Sequence, residues 1–134
     1  MFGYGLKTRT TDQSRRVVEA KDRAAFRNLG HAAARIRKDA AGSVKKRKNK
    51  RKASPAGTPP FTHAGYAKQA IRFAADRFSA VVGFRRSKIG LVAATHEHGL
   101  AEEGRKYPTR PTIGPALKRN INRFARDWRA TIGR

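Results

Sequence analysis

The sequence predicts an α+β fold in which helices cover one face of a small antiparallel sheet. Three features support this prediction. A long stretch with one apolar face comes first, two β-prone segments lie in the middle, and an amphipathic helix follows near the end. The chain has 134 residues, the length of one ordinary domain. We therefore expect residues 1–134 to form a single domain.

The first predicted element is a long basic helix over residues 12–52, preceded by an extended, glycine-containing arm over residues 1–11. Apolar residues recur at spacings of three, four and seven, as on one face of a helix. We expect Asp12 to cap the helix, and Leu29 and Ile36 to contribute to the core. Such a helix would be about 60 Å long, so part of it should project from a domain of this size. The periodic residues are Val18, Ala25, Leu29, Ala32, Ile36, Ala40 and Val44.

The end of this stretch carries a run of seven basic residues in eight positions, 45–52. Such a run could simply be solvated, because like charges repel each other. Here it follows basic residues of the preceding helix, which favours contact with phosphates; an acidic surface of a neighbouring protein is the alternative partner. The sequence lacks zinc-finger spacing, a basic region leading into a zipper and an RNP-type motif, so we expect contacts without base specificity. The predicted contact residues are Arg35, Arg37, Lys38, Lys45, Lys46, Arg47, Lys48, Lys50, Arg51 and Lys52.

Residues 53–62 form a predicted loop, because three prolines and a glycine exclude a helix or a central strand. Phe61 directly follows Pro59 and Pro60. The two prolines stiffen the backbone and so lower the entropy lost on docking. We therefore predict that Pro59, Pro60 and Phe61 contact a neighbouring subunit.

Residues 63–134 are predicted to contain the sheet and the last helix. A short helical turn at 65–70 precedes a β-hairpin, whose strands at 71–76 and 80–84 flank a turn at 76–79. Ile71, Phe73 and Val82 are the core candidates of this hairpin. Residues 91–98 predict a short helix that stops at Gly99, and a short strand is possible around residues 106–107.

The last helix is the clearest prediction. Pro115 suits the first helical position, and Gly114 precedes it. Four large apolar residues then fall on one face at helical spacing, which predicts that the helix packs on the hairpin. These core candidates are Leu117, Ile121, Phe124 and Trp128.

The charge balance predicts a polyanionic partner. Lys and Arg number 32 and Asp and Glu 9, which gives a net charge of +23. That value is about three times the upper end of the usual range for a small domain, roughly 8. Hydrophobic residues make up only 38% of the chain, so the core should be small. No apolar stretch approaches the roughly 20 residues of a membrane span, and the N-terminus lacks a signal-peptide pattern, so we expect no membrane partner.

The residues offer little for catalysis or metal binding. The absence of Cys excludes disulfides, thiolate metal sites and thiol nucleophiles. His96, Glu97 and His98 form the one cluster of metal-ligand type, but in a helix the two histidines would diverge, and no third histidine is near. Ser54, Ser79 and Ser87 lack a nucleophile-elbow pattern, and the early glycines lack the strand and helix of a phosphate loop. We therefore expect no enzyme, no catalytic residue, no metal and no cofactor.

Several short motifs occur in an order that is typical of one family of viral proteins. They lie at residues 54–60, 62–65, 71–73, 82–83, 96–99, and 107–111 together with 114–117. Over residues 53–120 the sequence resembles the tail-completion or neck proteins of tailed bacteriophages, which are also called virion-morphogenesis proteins. Two positions depart from that pattern: His98 replaces an aromatic residue, and Thr112 and Ile113 stand where Phe is common.

The resemblance implies a non-enzymatic subunit that forms a ring in the virion, at the head–tail junction. It implies contacts with further copies, with portal or adaptor proteins, with tail proteins and, without base specificity, with DNA in the channel. The protein would be made in the host cytoplasm. It also implies that residues 96–99 form a turn next to the sheet rather than a metal site. Two alternatives stay open: a free nucleic-acid-binding protein without sequence preference, and an enzyme with a metal at His96 and His98.

Overall fold

The computed structural model describes residues 12–49, 51–102 and 105–132, and it confirms the α+β class. The arm predicted for residues 1–11 lies outside this part. The described elements are α1 (Ser14–Ser43), α2 (Tyr66–Ala70), β1 (Ile71–Ala75), β2 (Ala80–Phe84), α3 (Lys88–His98), β3 (Leu100–Glu102), β4 (Arg105–Tyr107) and α4 (Ile113–Ile132). The strands form two antiparallel pairs, β1 with β2 and β3 with β4. Within these elements, no helix is long and apolar enough to cross a membrane.

Helix α1 ends at Ser43, so the predicted helix over residues 12–52 was too long. Val44 has extended backbone angles and is buried, with 1% of its surface exposed. The residues after Val44 pair with another segment instead of continuing the helix. In a continued helix, the seven cations of residues 45–52 would repel one another. At the other end, Asp12 is not the N-cap residue, which is Gln13. The Oδ1 atom of Asp12 nevertheless accepts a hydrogen bond from the backbone N–H of Ser14, at 2.9 Å.

The predicted β-hairpin is confirmed. Strands β1 and β2 pair with Ile71 opposite Phe84 and Phe73 opposite Val82. Asp76 closes the turn, because its Oδ1 atom accepts hydrogen bonds from the backbone N–H groups of Phe78 (2.7 Å) and Ser79 (2.6 Å). An Asp that bonds to the backbone of the next residues is a common way to fix a turn.

The other local predictions after the hairpin also hold, with shifted boundaries. Helix α3 begins at Lys88, three residues before the expected start, and its N-cap Ser87 accepts a hydrogen bond from Gly90 N–H at 3.2 Å. Gly99 ends it with a φ of 73°, a left-handed conformation that favours glycine. Strand β4 includes the expected residues 106–107, and α4 begins two residues before Pro115.

Helix α4 packs mainly along α1 in an antiparallel direction. Asn28 donates a hydrogen bond to Thr131 at 2.9 Å, Arg35 pairs with Asp127, and the Nε atom of Arg119 donates to Asp39 at 3.0 Å. The contact positions therefore descend along α4 as they ascend along α1. Helix α4 also contacts the sheet region, as predicted, with Ile113 and Ala116 beside Ile71.

The core is small and lies where α1, β1 and the start of α4 meet. Its buried centre consists of Ala40, Ile71 and Ala116, and Ile36 and Val82 pack against its edge. The core predictions for Ile71, Ile36 and Val82 are thus confirmed, the last two as partly buried residues. Among the described residues, only Ile71 and Val44 are large side chains with less than 2% exposure.

Three core predictions were wrong. Phe73 is 43% exposed, because it lies nearer the hairpin turn, beyond the small core. Leu117 and Ile121 are 46% and 55% exposed, because α4 turns a neighbouring face towards α1. That face consists of Ala116, Asn120, Asp127 and Thr131. It is offset from the apolar stripe by one position in the sequence, which rotates it around the helix axis. Leu29, Phe124 and Trp128 lie at the edge of the contact between α1 and α4 and are half-buried.

Candidate nucleic-acid interface

Residues 45–52, which we call the basic segment, are attached at residues 45–47 to a neighbouring loop by hydrogen bonds of the backbone. Thr62 N–H donates to the carbonyl of Lys45 at 2.9 Å, and Arg47 N–H donates to the carbonyl of Thr62 at 3.0 Å. His63 Nδ1 bonds to the carbonyl of Arg47 at 2.8 Å. These bonds form a parallel bridge between the two segments. The segment is therefore fixed by its backbone, which leaves its side chains free to face outward.

The side chains of the basic segment are exposed and unneutralised within the described residues. None of the ion pairs found there involves this segment. Arg47 makes the one cation–π contact of the segment, with its guanidinium 4.9 Å from the centre of the Phe61 ring. The exposed cations of the segment are Lys45, Lys46, Arg47, Lys48, Arg51 and Lys52, and Lys38 on α1 is also exposed. Lys50 lies outside the described residues.

Two of the predicted phosphate contacts, both on α1, also make contacts within the chain. Arg35 pairs with Asp127 on α4, and Arg37 donates from Nε to the carbonyl of Ile71 at 3.1 Å. Both side chains are half-buried because α4 and β1 pack against this part of α1. Both side chains stabilise contacts between elements, and their contact with a phosphate stays a prediction.

The proline-rich loop, residues 53–62, is tied down within its own chain. Gly57 N–H donates to the carbonyl of Thr109 at 2.8 Å, and Arg110 Nε donates to the carbonyl of Ser54 at 3.0 Å. Pro60 is buried, so its assignment to a subunit interface was wrong. Pro59 is half-buried, and Phe61 is half-buried beneath Arg47. The exposed residues of the loop are Ala53 and residues 55–58.

The motif at residues 96–99 holds the start of the last helix. Both carboxylate oxygens of Glu97 accept hydrogen bonds: Oε2 from the N–H groups of Thr112 (2.6 Å) and Ile113 (3.0 Å), and Oε1 from Gly114 (2.8 Å). A helix N-terminus has unpaired N–H groups and favours negative charge, which explains this contact. No sequence motif predicted this contact, because the partners are separated by 15 to 17 positions.

The two histidines of this motif lie on different sides of a helix. They lie in the last turn of α3, and not in a turn beside the sheet as the resemblance implied. His96 is half-buried and His98 is exposed, so the side chains diverge as expected for a helix. No group of three potential metal-binding side chains comes together in the part of the chain that the structure describes.

Comparison of the chain with protein-family models, with curated protein sequences and with solved structures finds no match. The family resemblance therefore depends on the motifs quoted above. In the fold, three of those motifs are neighbours. The proline-rich loop contacts Thr109 and Arg110, and residues 96–97 contact Arg110 and the start of α4.

Proposed function

We propose that this chain is a non-enzymatic structural subunit that assembles with other copies into a ring around DNA. The neck of a tailed bacteriophage, where such a ring joins a portal or adaptor to a tail, is the setting that fits the motifs. The observation that carries the proposal is the apolar stripe of α4, which packing within the chain leaves partly uncovered. Leu117 and Ile121 are exposed, while Phe124 and Trp128 are half-buried.

The total surface supports association. The chain exposes 11156 Å². A compact monomer of 14.9 kDa exposes about 7,000 Å² by the usual scaling of area with mass. Part of this difference comes from the described elements, on which many large hydrophobic residues are exposed.

Thirteen large hydrophobic residues of the described part of the chain are exposed. At about 25 cal/mol per Å², removal of their apolar surface from water would stabilise an assembly strongly. Contiguous exposed apolar surface is also a common sign of an interaction site. The exposed large hydrophobic residues are Val17, Val18, Phe26, Tyr66, Phe73, Phe78, Val81, Ile89, Leu91, Val92, Tyr107, Leu117 and Ile121.

Two apolar grooves flank Trp128 and provide a surface for a second copy of the chain. One, of about 460 Å³, is lined by Leu29, Phe78 and Phe124; the other, of about 500 Å³, by Val17, Ala20 and Ala24. Closed rings form when two different complementary faces of one subunit meet head to tail. We assign the α1–α4 grooves to one of these faces.

Bound DNA would allow copies of this highly charged chain to associate. At a net charge of +23, copies of the chain repel each other strongly. A polyanion inside the ring would neutralise that repulsion, and the exposed cations of the basic segment are the candidates to face it. Because phosphates carry no base information, binding should be independent of sequence. A free nucleic-acid-binding protein would share these cations, but would have no need of the apolar grooves.

The experiment is to measure the mass of the purified protein with and without a DNA duplex, and to image the particles by electron microscopy. We expect closed rings with a central channel that form or grow when DNA is added. A protein that stays monomeric at micromolar concentration while it binds DNA would contradict the ring and favour the free binding protein. Immunogold labelling of virions whose genome encodes the chain would test the position at the neck.

A further inference from the structure

A cationic pocket lies where the basic segment, the proline-rich loop and the end of α3 meet. Its volume is about 220 Å³, several times the roughly 30 Å³ that a water molecule occupies in the liquid. The segments that form it are far apart in the sequence, so no sequence motif predicts it. Its polar lining consists of Arg51, Lys52, Ser54, His63, His96 and Arg110.

The positive charge of this pocket is not balanced within the described residues. No carboxylate lines the pocket, and none of the ion pairs found there involves Arg51, Lys52 or Arg110. The nearby carboxylate of Glu97 is occupied by three backbone N–H groups of α4. Three cations that converge without a counterion are unfavourable unless an anion joins them.

Two polar atoms in the wall of the pocket have no hydrogen-bond partner. Ser54 is only 4% exposed, and its hydroxyl oxygen is unpaired. The Nδ1 atom of His96 is shielded from water and also unpaired. Buried polar groups are almost always hydrogen-bonded in native proteins, so a ligand that supplies hydrogen bonds to these two residues would be stabilised.

The pocket is held in shape before any ligand binds. Arg110 donates from Nε to the carbonyl of Ser54 at 3.0 Å, which leaves the terminal nitrogens of its guanidinium free. His63 is fixed by its bond to the carbonyl of Arg47, at 2.8 Å. Burial, together with the positive charge of Arg110, lowers the pKa of His96, as expected beside unneutralised cations. Groups held in place lose little entropy when they bind.

We infer that this pocket binds a phosphate group. Guanidinium groups donate paired hydrogen bonds that match phosphate oxygens, a lysine adds charge, and the Ser54 hydroxyl supplies a neutral donor. The phosphate belongs either to a nucleic-acid backbone or to free inorganic phosphate. This inference goes beyond the proposed ring, because it concerns a site within one copy of the chain.

The test measures phosphate binding by calorimetry and by the shift in Tm, with chloride varied to keep the ionic strength constant. Wild type should show saturable binding of inorganic phosphate and a rise in Tm. The double variant Arg51→Gln/Lys52→Gln should bind phosphate about tenfold more weakly or worse, because charge-assisted hydrogen bonds are lost. Lys118→Gln/Arg129→Gln, which removes the same charges from exposed positions on α4, should match wild type.

Ser54→Ala separates the site from general charge effects. Without phosphate, its Tm should equal or exceed that of wild type, because the variant removes an unpaired buried hydroxyl. Its affinity for phosphate should still fall. Binding that does not saturate, or a Tm shift equal in wild type and all variants, would overturn the inference.

A DNA competition experiment identifies the source of the phosphate. If it is a nucleic-acid backbone, inorganic phosphate at constant ionic strength should compete with a 20-bp duplex for wild type. If it is free phosphate, saturating inorganic phosphate at constant ionic strength should leave the affinity of wild type for the duplex unchanged. The affinity for inorganic phosphate and the assembly state are separate readouts, so either proposal can fail without the other.

Discussion

Glu97 shows how one side chain can link two helices. It lies in the last turn of α3 and caps the first turn of α4 through three backbone N–H groups. Charged acceptors in such positions contribute more than neutral ones.

We predict that Glu97→Ala lowers the free energy of unfolding by about 2 kcal/mol, within the range for loss of a helix cap or a charged hydrogen bond. Glu97→Gln should have a smaller effect, because it keeps an acceptor. Glu19→Ala, at an exposed position on α1, is the matched control and should change stability little. Urea unfolding measures all three; equal stability of Glu97→Ala and Glu19→Ala would contradict this role of Glu97.

Trp128 is half-buried between two grooves, and its ring centre lies 6.1 Å from that of Phe124. Because burial is partial, Trp128→Ala should reduce the stability of the isolated chain by about 1–3 kcal/mol, less than the 3–5 kcal/mol typical of a fully buried tryptophan. The same variant should weaken self-association, because it removes the apolar ridge between the grooves. Thermal unfolding and sedimentation measure the two effects. If Trp128→Ala associates like wild type, the grooves are not the interface.

At the scale of elements, the contact between α1 and α4 depends on carboxylates. The hydrogen bond from Arg119 lowers the pKa of Asp39, and the hydrogen bond from Arg35 lowers the pKa of Asp127. Each carboxylate accepts protons less readily in the folded chain than in the unfolded chain. Their contribution to stability is therefore present above the unfolded pKa of about 4, and it is lost as the pH falls below that value.

We therefore predict that stability falls as the pH is lowered from about 5 to 3. In Asp39→Asn this loss should be smaller, because one of the two groups no longer titrates. Chemical unfolding at a series of pH values measures the slope. Asp12→Asn is the comparison, since the pKa of Asp12 is also lowered but its partner is the nearby Ser14. An unchanged slope in Asp39→Asn would exclude the α1–α4 contact as a source of the acid sensitivity.

The basic segment is an element fixed by its backbone, with cations on its surface. Replacement of its seven Lys and Arg residues by Gln should leave the fold intact, because none of the described ones is buried. If about six of the charges neutralise phosphates, log K for DNA should fall with log salt at a slope near −5 in wild type, and much less steeply in the variant. Retention of both DNA binding and assembly in the variant would mean that the segment is only solvated.

At the scale of the whole molecule, the chain combines a very small core with a large apolar surface and a high positive charge. A core of this kind gives limited stability, and neighbours that bind only the folded state would add to it. Assembly and folding should therefore be linked in this protein. The charge then favours an assembly that contains a polyanion over one that does not.

The sequence alone determined the features that depend on neighbouring residues. Helical periodicity located α1 and α4, the prolines located the loop, and Asp76 and Gly99 stand at a turn and a helix end that the sequence predicted. These features depend on local backbone geometry and hydrogen bonds, which a short window of sequence contains.

Only the tertiary structure decided which faces and ends meet. The helical spacing of apolar residues continues to Val44. That spacing could not show that the next residues pair with Thr62 and so end the helix. The stripe of α4 identified a face that can be buried, but not that α1 binds the adjacent, more polar face. The cap by Glu97 and the pocket around Arg110 join distant segments. Spacing along the chain carries no information about such pairings, because they depend on how the whole chain packs.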